Sequence, residues 1–578
     1  MPAYDNAAIA TILDDFGDLL EIAGADRYRF LSYHKAAHAV RAWDEDIMAT
    51  ALGGRLTEVP GIGPKIAAVI SSVLKTGTFP EFEAVAERVP ATVIELIRVP
   101  GLGPKKAKTL YDDLAITSID DLEEAIAEGR LTGLPGFGAK TVENITDGIA
   151  RYRSLTSRIL LANALPLAER LADDLRAVSG VIEAAVAGSI RRMKETVGDI
   201  DVLVAADDGP AVMAAVRDLP IVTDVIASGE SKTSVMTTSG RQADIRVVAP
   251  EVWGAALQYF TGSAEHNVRV REIAKSRGLK VSEYGVFGAA DGERVASATE
   301  ADVYAALGMV AMPPEIRENT GEVELALGGR VPDLVTIGDI RGDLHSHTVA
   351  TDGRSTLEQN RARAAELGYE YLGVSDHAYE LRMVGGLDLS ELEEQWACVD
   401  ELNAAGDGGL VLLKAIELNI DDDGGVDYPP EALARFDYCI ASLHHGFNQS
   451  REQATRRLLV AMENPYVDII GHPTGRLLGR RDPFALDMEA VIAKAAETGT
   501  ILELNAHPER LDLNDVHLRM ARKVGVRIAI NTDAHEAGQF GQIRWGVATA
   551  RRGWIGAGEV LNAQPLEVMR SWLKRNRV

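Results

Sequence analysis

Over the first ~155 residues apolar side chains recur at helical spacing; Ile66, Ala67, Val69, Ile70 and Val73 form one such stripe. From about residue 181 the pattern turns to strand-type runs, VIEAAVAGSI, DIDVLVAA, IVTDVIAS and ADIRVV, separated by turn residues and helical stretches. A helix-rich piece with a short β region is predicted over about 254–312. Residues 313–341 carry paired prolines and several glycines and read as an interdomain connection. Beyond 342, runs such as YLGV, LVLLKAI, VDII, TILELNA and RIAIN alternate with helical stretches, the pattern of a parallel α/β fold closing into a barrel. These changes of texture divide the chain into 1–80, 81–155, 156–253, 254–312, the 313–341 connection and 342–578.

Composition adds constraints. With 578 residues, 46% hydrophobic and 25% charged, the chain is a multidomain globular protein rather than a disordered or fibrous one. No apolar run approaches the ~18 residues that cross a bilayer, and the N-terminus lacks a signal peptide's basic start and apolar block. Two cysteines, Cys398 and Cys439, exclude a disulfide scaffold and a thiolate zinc finger. A soluble, cytoplasmic protein is expected. The net charge of -26 repels phosphate, so any nucleic-acid contact must run through local basic loops, backbone N–H groups or metal ions.

Such loops occur in the N-terminal third. Val59-Pro60-Gly61-Ile62-Gly63-Pro64-Lys65 recurs as Val99-Pro100-Gly101-Leu102-Gly103-Pro104-Lys105, and more loosely as Leu134-Pro135-Gly136-Phe137-Gly138-Ala139-Lys140. A glycine hairpin between helices lets a phosphate approach the backbone, and the next helix offers it free N–H groups. Lys65, Lys105 and Lys140 add charge without reading bases. One such hairpin is as well explained by a glycine-capped turn. Three in one frame favour sequence-independent binding of a DNA backbone. His34 and His38 read as packing or DNA-facing residues of the same helices.

The middle of the chain concentrates acids. Asp199-Ile200-Asp201 within an apolar run puts two carboxylates on one strand face, where they repel unless a divalent cation lies between them. Asp244, in ADIRVV, is the expected third ligand; three acids can hold two Mg²⁺ ions. Upstream, the N–H groups of Gly188-Ser189 and the Arg192 guanidinium suit β- and γ-phosphates.

The C-terminal third concentrates histidine: nine of the twelve lie between 345 and 535. His345, His347, Asp352, His377, Glu417, His444, His472, Asp533 and His535 each end or leave a predicted strand, where an α/β barrel gathers active-site groups at one rim. Nine nitrogen and oxygen ligands without cysteine suit two or three Zn²⁺, Mn²⁺ or Fe ions. His445, His507 and His517 fall outside this pattern.

Gly-Ser-x-Arg-Arg followed by Gly198-Asp199-x-Asp201-Val202-Leu203 resembles the palm of the family X DNA polymerases. Tyr259-Phe260-Thr261-Gly262-Ser263 and Ser282-Glu283-Tyr284-Gly285 are similar to the family's thumb, and Asn267 and Arg271 match its contacts to nucleotide and template. The resemblance covers about residues 1–320 and assigns Gly61, Gly63, Lys65, Gly101, Gly103 and Lys105 to helix-hairpin-helix DNA contacts. It departs at two positions. Val69 stands where animal repair relatives carry a Schiff-base lysine, so 5′-deoxyribose-phosphate lyase activity is expected to be weak or absent. Gln242 replaces an arginine that orients the catalytic acids. The nine C-terminal residues resemble the ligand set of a trinuclear PHP (polymerase and histidinol phosphatase) domain. Arg476 and the Glu503-Leu504-Asn505…Arg510-Leu511-Asp512 segment are its phosphate-facing candidates.

The resemblance implies a multidomain α/β protein: a helical helix-hairpin-helix region, an α+β nucleotidyltransferase palm and thumb, and a distorted (β/α) barrel of PHP type. It implies gap-filling DNA-directed synthesis with Mg²⁺ or Mn²⁺ at Asp199, Asp201 and Asp244. A 3′-5′ exonuclease with two or three Zn²⁺ and/or Mn²⁺ ions is expected beside it, with abasic-site incision and 3′-phosphate removal as further activities. The expected partners are gapped or primed duplex DNA and deoxynucleoside triphosphates, with no membrane and the protein a monomer. Two other readings compete: a DNA-binding phosphoesterase with an inactive polymerase core, and a nucleotidyltransferase acting on a non-DNA acceptor.

Overall fold

A computed structural model describes residues 6–576 except 42, 44–46, 60, 77, 87, 100, 382–383 and 407–408. The hairpin prolines Pro60 and Pro100 therefore lie outside the described residues. The chain separates into two units, Met1–Ser157 and Arg158–Val578. No helix among the described residues is long and apolar enough to cross a membrane.

The first unit is helical. Asn6–Ile22 packs on Arg27–Arg41, and Phe16 meets Tyr33 and Phe79 edge-on at 4.8 Å. The three hairpins adopt one geometry. Gly61, Gly101 and Gly136 sit at φ +88°, +89° and +85°, a conformation glycine reaches without a Cβ clash. The amides of Ile62, Leu102 and Phe137 close each turn onto the carbonyls of Val59, Val99 and Leu134 at 3.0–3.1 Å. Helices Pro64–Thr76, Pro104–Leu114 and Ala139–Ser157 follow directly.

The second unit starts with a five-stranded sheet ordered Val181–Val186, Ile200–Ala206, Gln242–Val248, Lys232–Thr237, Val222–Ser228. Only Ile200–Ala206 and Gln242–Val248 run parallel, and their register sets Asp201 opposite Asp244. Four of these strands match apolar runs in the sequence. The fifth, Lys232–Thr237 (KTSVMT), alternates too weakly to stand out, and it is an interior strand of the sheet. Helices Trp253–Thr261, Ala264–Ser276 and Glu300–Ala306 then pack with a small antiparallel sheet, Leu279–Ser282, Gly285–Gly288 and Arg294–Ala296.

Residues 313–341 are not a bare connection. Pro314–Ile316 forms a 3₁₀ turn and Glu322–Leu327 a helix, while Ile316, Val323, Ala326 and Leu334 join the core of the preceding helices. Their polar appearance conceals two buried charges with dedicated partners. Arg317, 2% exposed, donates to Glu300, and Glu322 lies 2.7 Å from His266, both fully buried.

The C-terminal part is a parallel barrel. Gly342–Asp343, Tyr371–Val374 and Val411–Lys414 form one sheet; Glu417–Asn419, Ile440–Ser442, Ile469–Ile470, Ile501–Asn505 and Ile528–Asn531 form the other. Parallel bridges His377–Glu417 and Ser346–Ala534 join the two. Leu344, Tyr371, Leu413, Ile440, Ile469, Ile501 and Ala529 make one core, while their neighbours Leu372, Leu412, Ala441, Ile470, Leu502 and Ile528 belong to another shared with the helices. Period-two alternation along each strand produces the two layers.

Glu300 ties the palm to the helices beyond it, pairing bidentately with Arg191 at 2.9 and 2.7 Å as well as with Arg317. Burial raises its carboxyl pKa, but the two arginines outweigh burial and hold it down to about 2. This pairing stabilises the fold above the ordinary glutamate range near 4.5 and is lost as pH falls toward 2. Glu300→Gln, which leaves buried arginine charge uncompensated, is expected to cost about 3–5 kcal/mol in urea unfolding at neutral pH. The gap should narrow below about pH 4; a pH-independent loss would contradict the ion-pair account.

Candidate functional site

Gly63, Gly103 and Gly138 cap the helices after the three hairpins, are exposed, and would meet nothing within 4 Å if they carried a Cβ. Lys65 and Lys105 are exposed at the same ends, Lys65 within 3.1 Å of Glu81. Val69 points into the core at 7% exposure, so its helix offers no amine at that position. His34 binds Asp14 at 2.9 Å.

In the palm the three acids converge. Asp199 lies in the bend before Ile200–Ala206, Asp201 is the strand's second residue, and Asp244 faces Asp201 across the parallel register. Asp244 stands near the start of its strand, Gln242–Val248. Burial, followed by the charges of Asp199 and Asp244, raises the Asp201 carboxyl to about 6. For Asp244, burial is outweighed by hydrogen bonds from Lys232, Ser234 and Gln242, and its pKa is lowered. Lys232 Nζ is 2.6 Å from Asp244 Oδ2 and Gln242 Nε2 donates to Oδ1 at 3.1 Å. Gln242 thus holds the Asp244 carboxylate by a hydrogen bond, while Lys232, on the strand hidden in the sequence, supplies charge.

Gly188 opens the one-turn helix Gly188–Arg191 at φ +59°, and a Cβ there would fall 2.2 Å from Asp201 Oδ2. A side chain there would be strained by the left-handed backbone and would displace the Asp201 carboxylate. Ser189 follows on the same turn, and Gly198 is exposed just before Asp199. Arg192 does not stand free: its Nε donates to Glu318 at 3.0 Å and its Nη1 to the Thr261 carbonyl. Tyr259 and Phe260 end Trp253–Thr261, and the Arg246 guanidinium covers the Phe260 ring at 4.4 Å. Gly262, at φ +69°, turns the chain into Ala264–Ser276. Asn267 braces this turn, donating to the Tyr259 carbonyl at 2.7 Å and accepting from Gln258 at 2.9 Å. Arg271 is exposed on the same helix. His266, unremarked in the sequence, is fully buried between Glu322 and the Tyr304 hydroxyl, and burial lowers its pKa.

At the barrel rim all nine predicted ligands meet. His345, His444, His472 and Asp533 each stand two residues beyond a strand. Glu417 differs: its strand breaks at Ala415-Ile416, and it begins the second half. Three overlapping groups bring their ligand-type atoms within 4.8 Å of one another and could hold metal ions: His347, Asp352, His377 and His535; His345, His347 and Asp533; His377, Glu417 and His444. His472 Nε2 is 3.1 Å from Glu417, which also lies 2.9 Å from His377 and 3.2 Å from His444. His472 (φ +26°) and Asp533 (φ +54°) occupy left-handed backbone, which side chains rarely adopt and which functional sites concentrate.

Buried carboxylates dominate the charge balance of this cluster. Burial lowers the His345 pKa, but the charges of Glu503, Asp533 and Glu417 outweigh it and raise the pKa well above the ordinary value. Burial and the neighbouring His535 and His377 push His347 down to about 3, so that ring is neutral. Glu417 and Asp533, though buried, are held well below the ordinary range by surrounding histidines. His345 Nε2, His347 Nδ1 and Asp352 Oδ1 are buried without a hydrogen-bond partner. Buried lone pairs and carboxylates of this kind fit divalent metal ions.

A second layer orients these ligands, and little of it was visible in the sequence. Asn419 Oδ1 lies 2.6 Å from His444 Nδ1, and Asn419 Nδ2 donates to Asp427. Asp376 accepts from Thr348, Thr351 and Gln395. Glu503 faces ligands instead of solvent: it binds His345 Nδ1 at 2.8 Å and accepts from the His472 amide at 2.6 Å. Asn505 donates to Asp533, and Asp512 accepts from the Thr474 amide. Arg476 turns away to Glu195. Of the phosphate-facing candidates Arg510 remains, 3.6 Å from Asp533 with Nη1 buried and unpaired. His445 sits at the surface near Asp422.

Residues 4–79 match the helix-hairpin-helix domain family, 93–151 the SAM-like helix-hairpin-helix tandem, and 256–318 the DNA polymerase beta thumb. The chain is 36% identical over 570 residues to the DNA polymerase/3′-5′ exonuclease PolX of Bacillus subtilis, covering 98% of this chain and 99% of the relative. DNA polymerase lambda of Rattus norvegicus is 25% identical over 51% of this chain and 53% of its own. A probable phosphatase of Caldanaerobacter subterraneus is 32% identical over 34% of this chain and 78% of its own.

Two outcomes follow from the electrostatics. Since Asp201 protonates near pH 6 when folded but near 3.8 when unfolded, its ionisation costs stability as pH rises through 6. Asp201→Asn is expected to raise the Tm of chelator-treated protein by about 2–4 °C at about pH 8, with little change at about pH 3, below the unfolded value. Equal shifts at both would refute this. Glu417→Gln, which removes the charge shared by four histidines, should lower the metal content per chain in elemental analysis; unchanged content would exclude Glu417 as a ligand.

Proposed function

The chain belongs to the PolX family of DNA polymerases/3′-5′ exonucleases, and we propose that its palm acids and its barrel rim perform those two reactions on the same DNA. The observation that carries the polymerase reading is the pairing of Asp201 with Asp244 beneath a turn whose Gly188 lies against the Asp201 carboxylate. The helix-hairpin-helix matches support gapped or primed duplex DNA as the substrate.

Asp199, Asp201 and Asp244 would hold Mg²⁺ or Mn²⁺, which supplies positive charge for the triphosphate and acidifies the primer hydroxyl. Asp244, kept ionised by Lys232, accepts the proton of the 3′-hydroxyl. The N–H groups of Gly188-Ser189 and the Arg192 guanidinium grip the β- and γ-phosphates. Attack in line on the α-phosphate releases pyrophosphate. The Tyr259–Gly262 turn lies under the incoming sugar, and Asn267 and Arg271 follow the minor-groove side. Gly61, Gly63, Lys65, Gly101, Gly103 and Lys105 hold the DNA backbone.

The nine rim residues would hold two or three ions, Zn²⁺ and/or Mn²⁺, which supply Lewis acidity at a phosphodiester. Neutral His347 keeps a lone pair available, and Arg510 donates to the phosphate oxygens. Removal of nucleotides from the 3′ end is the main reaction, with abasic-site incision and 3′-phosphate removal as related uses. The buried Val69 supports weak or absent lyase activity, since imine formation needs an amine there.

On a gapped duplex, Asp201→Ala should reduce nucleotide addition by roughly 10³-fold or more and leave 3′-5′ degradation intact. His345→Ala should do the reverse. One substitution silencing both reactions would overturn the assignment of two sites.

A further inference from the structure

The loop Arg192–Glu195, between the Gly-Ser turn and the catalytic acids, is held at both ends by arginines of the barrel. At its start, Arg552 donates to the Arg192 carbonyl at 2.7 Å and to Glu318 Oε1 at 3.1 Å. The same Glu318 oxygen accepts Arg192 Nε at 3.0 Å. Arg552 is fixed from behind by Asp515, at 2.6 Å, and is 6% exposed. At the loop's other end, Arg476 pairs with Glu195 through both nitrogens, at 3.2 and 2.6 Å, while its Nε holds the Arg510 carbonyl at 2.8 Å.

Charge sharing gives this arrangement a consequence for nucleotide binding. Asp515, Arg552, Glu318 and Arg192 form a line of alternating charges. If Glu318 had Arg192 as its sole strong partner, it would neutralise the guanidinium that must meet the triphosphate. With Arg552 on the same oxygen, part of the Glu318 charge is already balanced, and Arg192 keeps more of its own for an incoming anion. The carbonyl contact and the Glu195 clamp fix the backbone on which that guanidinium rides. Misplacement of a binding group by about 1 Å can cost up to two orders of magnitude in rate.

We infer that Arg552 and Arg476, residues of the phosphoesterase barrel, are positioning residues of the polymerase: they hold the triphosphate-gripping loop in place and keep Arg192 available to the nucleotide. The inference rests on Arg192 being a triphosphate ligand, as proposed above.

The test uses the full-length protein and steady-state single-nucleotide addition to a gapped duplex, with exonuclease rate and thermal unfolding measured in parallel. Arg192→Lys tests the underlying reading and should raise the nucleotide KM. Glu195→Gln, at a partly exposed position, and Arg552→Gln, at a buried one, should each raise the nucleotide KM by roughly five- to twenty-fold, with kcat within about threefold. Exonuclease activity of Glu195→Gln should stay at the parent level, and Arg552→Lys should restore most of the affinity. If Arg192→Lys leaves KM unchanged, the triphosphate reading itself fails. If Arg192→Lys raises KM but Glu195→Gln and a folded Arg552→Gln do not, the positioning role is wrong. A fall in kcat and exonuclease rate together, tracking a lowered Tm, would also refute it by showing a merely structural effect.

Discussion

Carboxylates and imidazoles gathered into two small volumes are the constraint on which this molecule is built. Asp201 carries a raised pKa because it is largely buried and Asp199 and Asp244 stand beside it. Glu417 lies within 3.5 Å of four histidines and survives burial as an anion because they surround it. Groups packed this way are costly without a compensating cation, so the scaffold around each must be rigid enough to impose the arrangement.

The two scaffolds solve that problem differently. In the palm, a parallel strand pair sets the acids in register, and a glycine turn closes over them. In the barrel, the candidate ligands come from successive strand ends, two of them in left-handed backbone; Asn419 and Glu503 hold the His444 and His345 rings, and Asn505 holds the Asp533 carboxylate. Orientation by a hydrogen-bonded second layer is what metal-ligating imidazoles generally require. The barrel also reaches across to the palm loop through Arg552 and Arg476, so the two sites share a structural seam.

Much of the candidate site was legible in the chain because its residues are locally patterned. The Asp-Ile-Asp spacing is enough to single out Asp199 and Asp201 together, although Asp199 falls in the bend just before the strand, and histidines recurring at strand ends mark a barrel rim. The repeated glycine hairpins were equally plain, since φ near +88° leaves few alternatives to glycine. Where sequence reading fell short, the pattern was polar or the partner distant. Residues 313–341 looked like a connection because their buried charges, Arg317 and Glu322, find Glu300 and His266 only after folding. Arg476 and Glu503 looked phosphate-facing because nothing local reveals which way a long side chain turns.

Local periodicity and residue chemistry therefore pointed to most of the elements, and to the three palm acids and nine rim residues as candidates, because each depends on short-range spacing along the chain. Tertiary structure alone decided that Lys232 lies against Asp244, that Asn419 and Glu503 orient histidines, and that barrel arginines meet the palm loop. These pairings join residues up to 360 positions apart. Their energy comes from charge and hydrogen bonding across packed surfaces, and no pattern of neighbouring residues encodes which surfaces will meet.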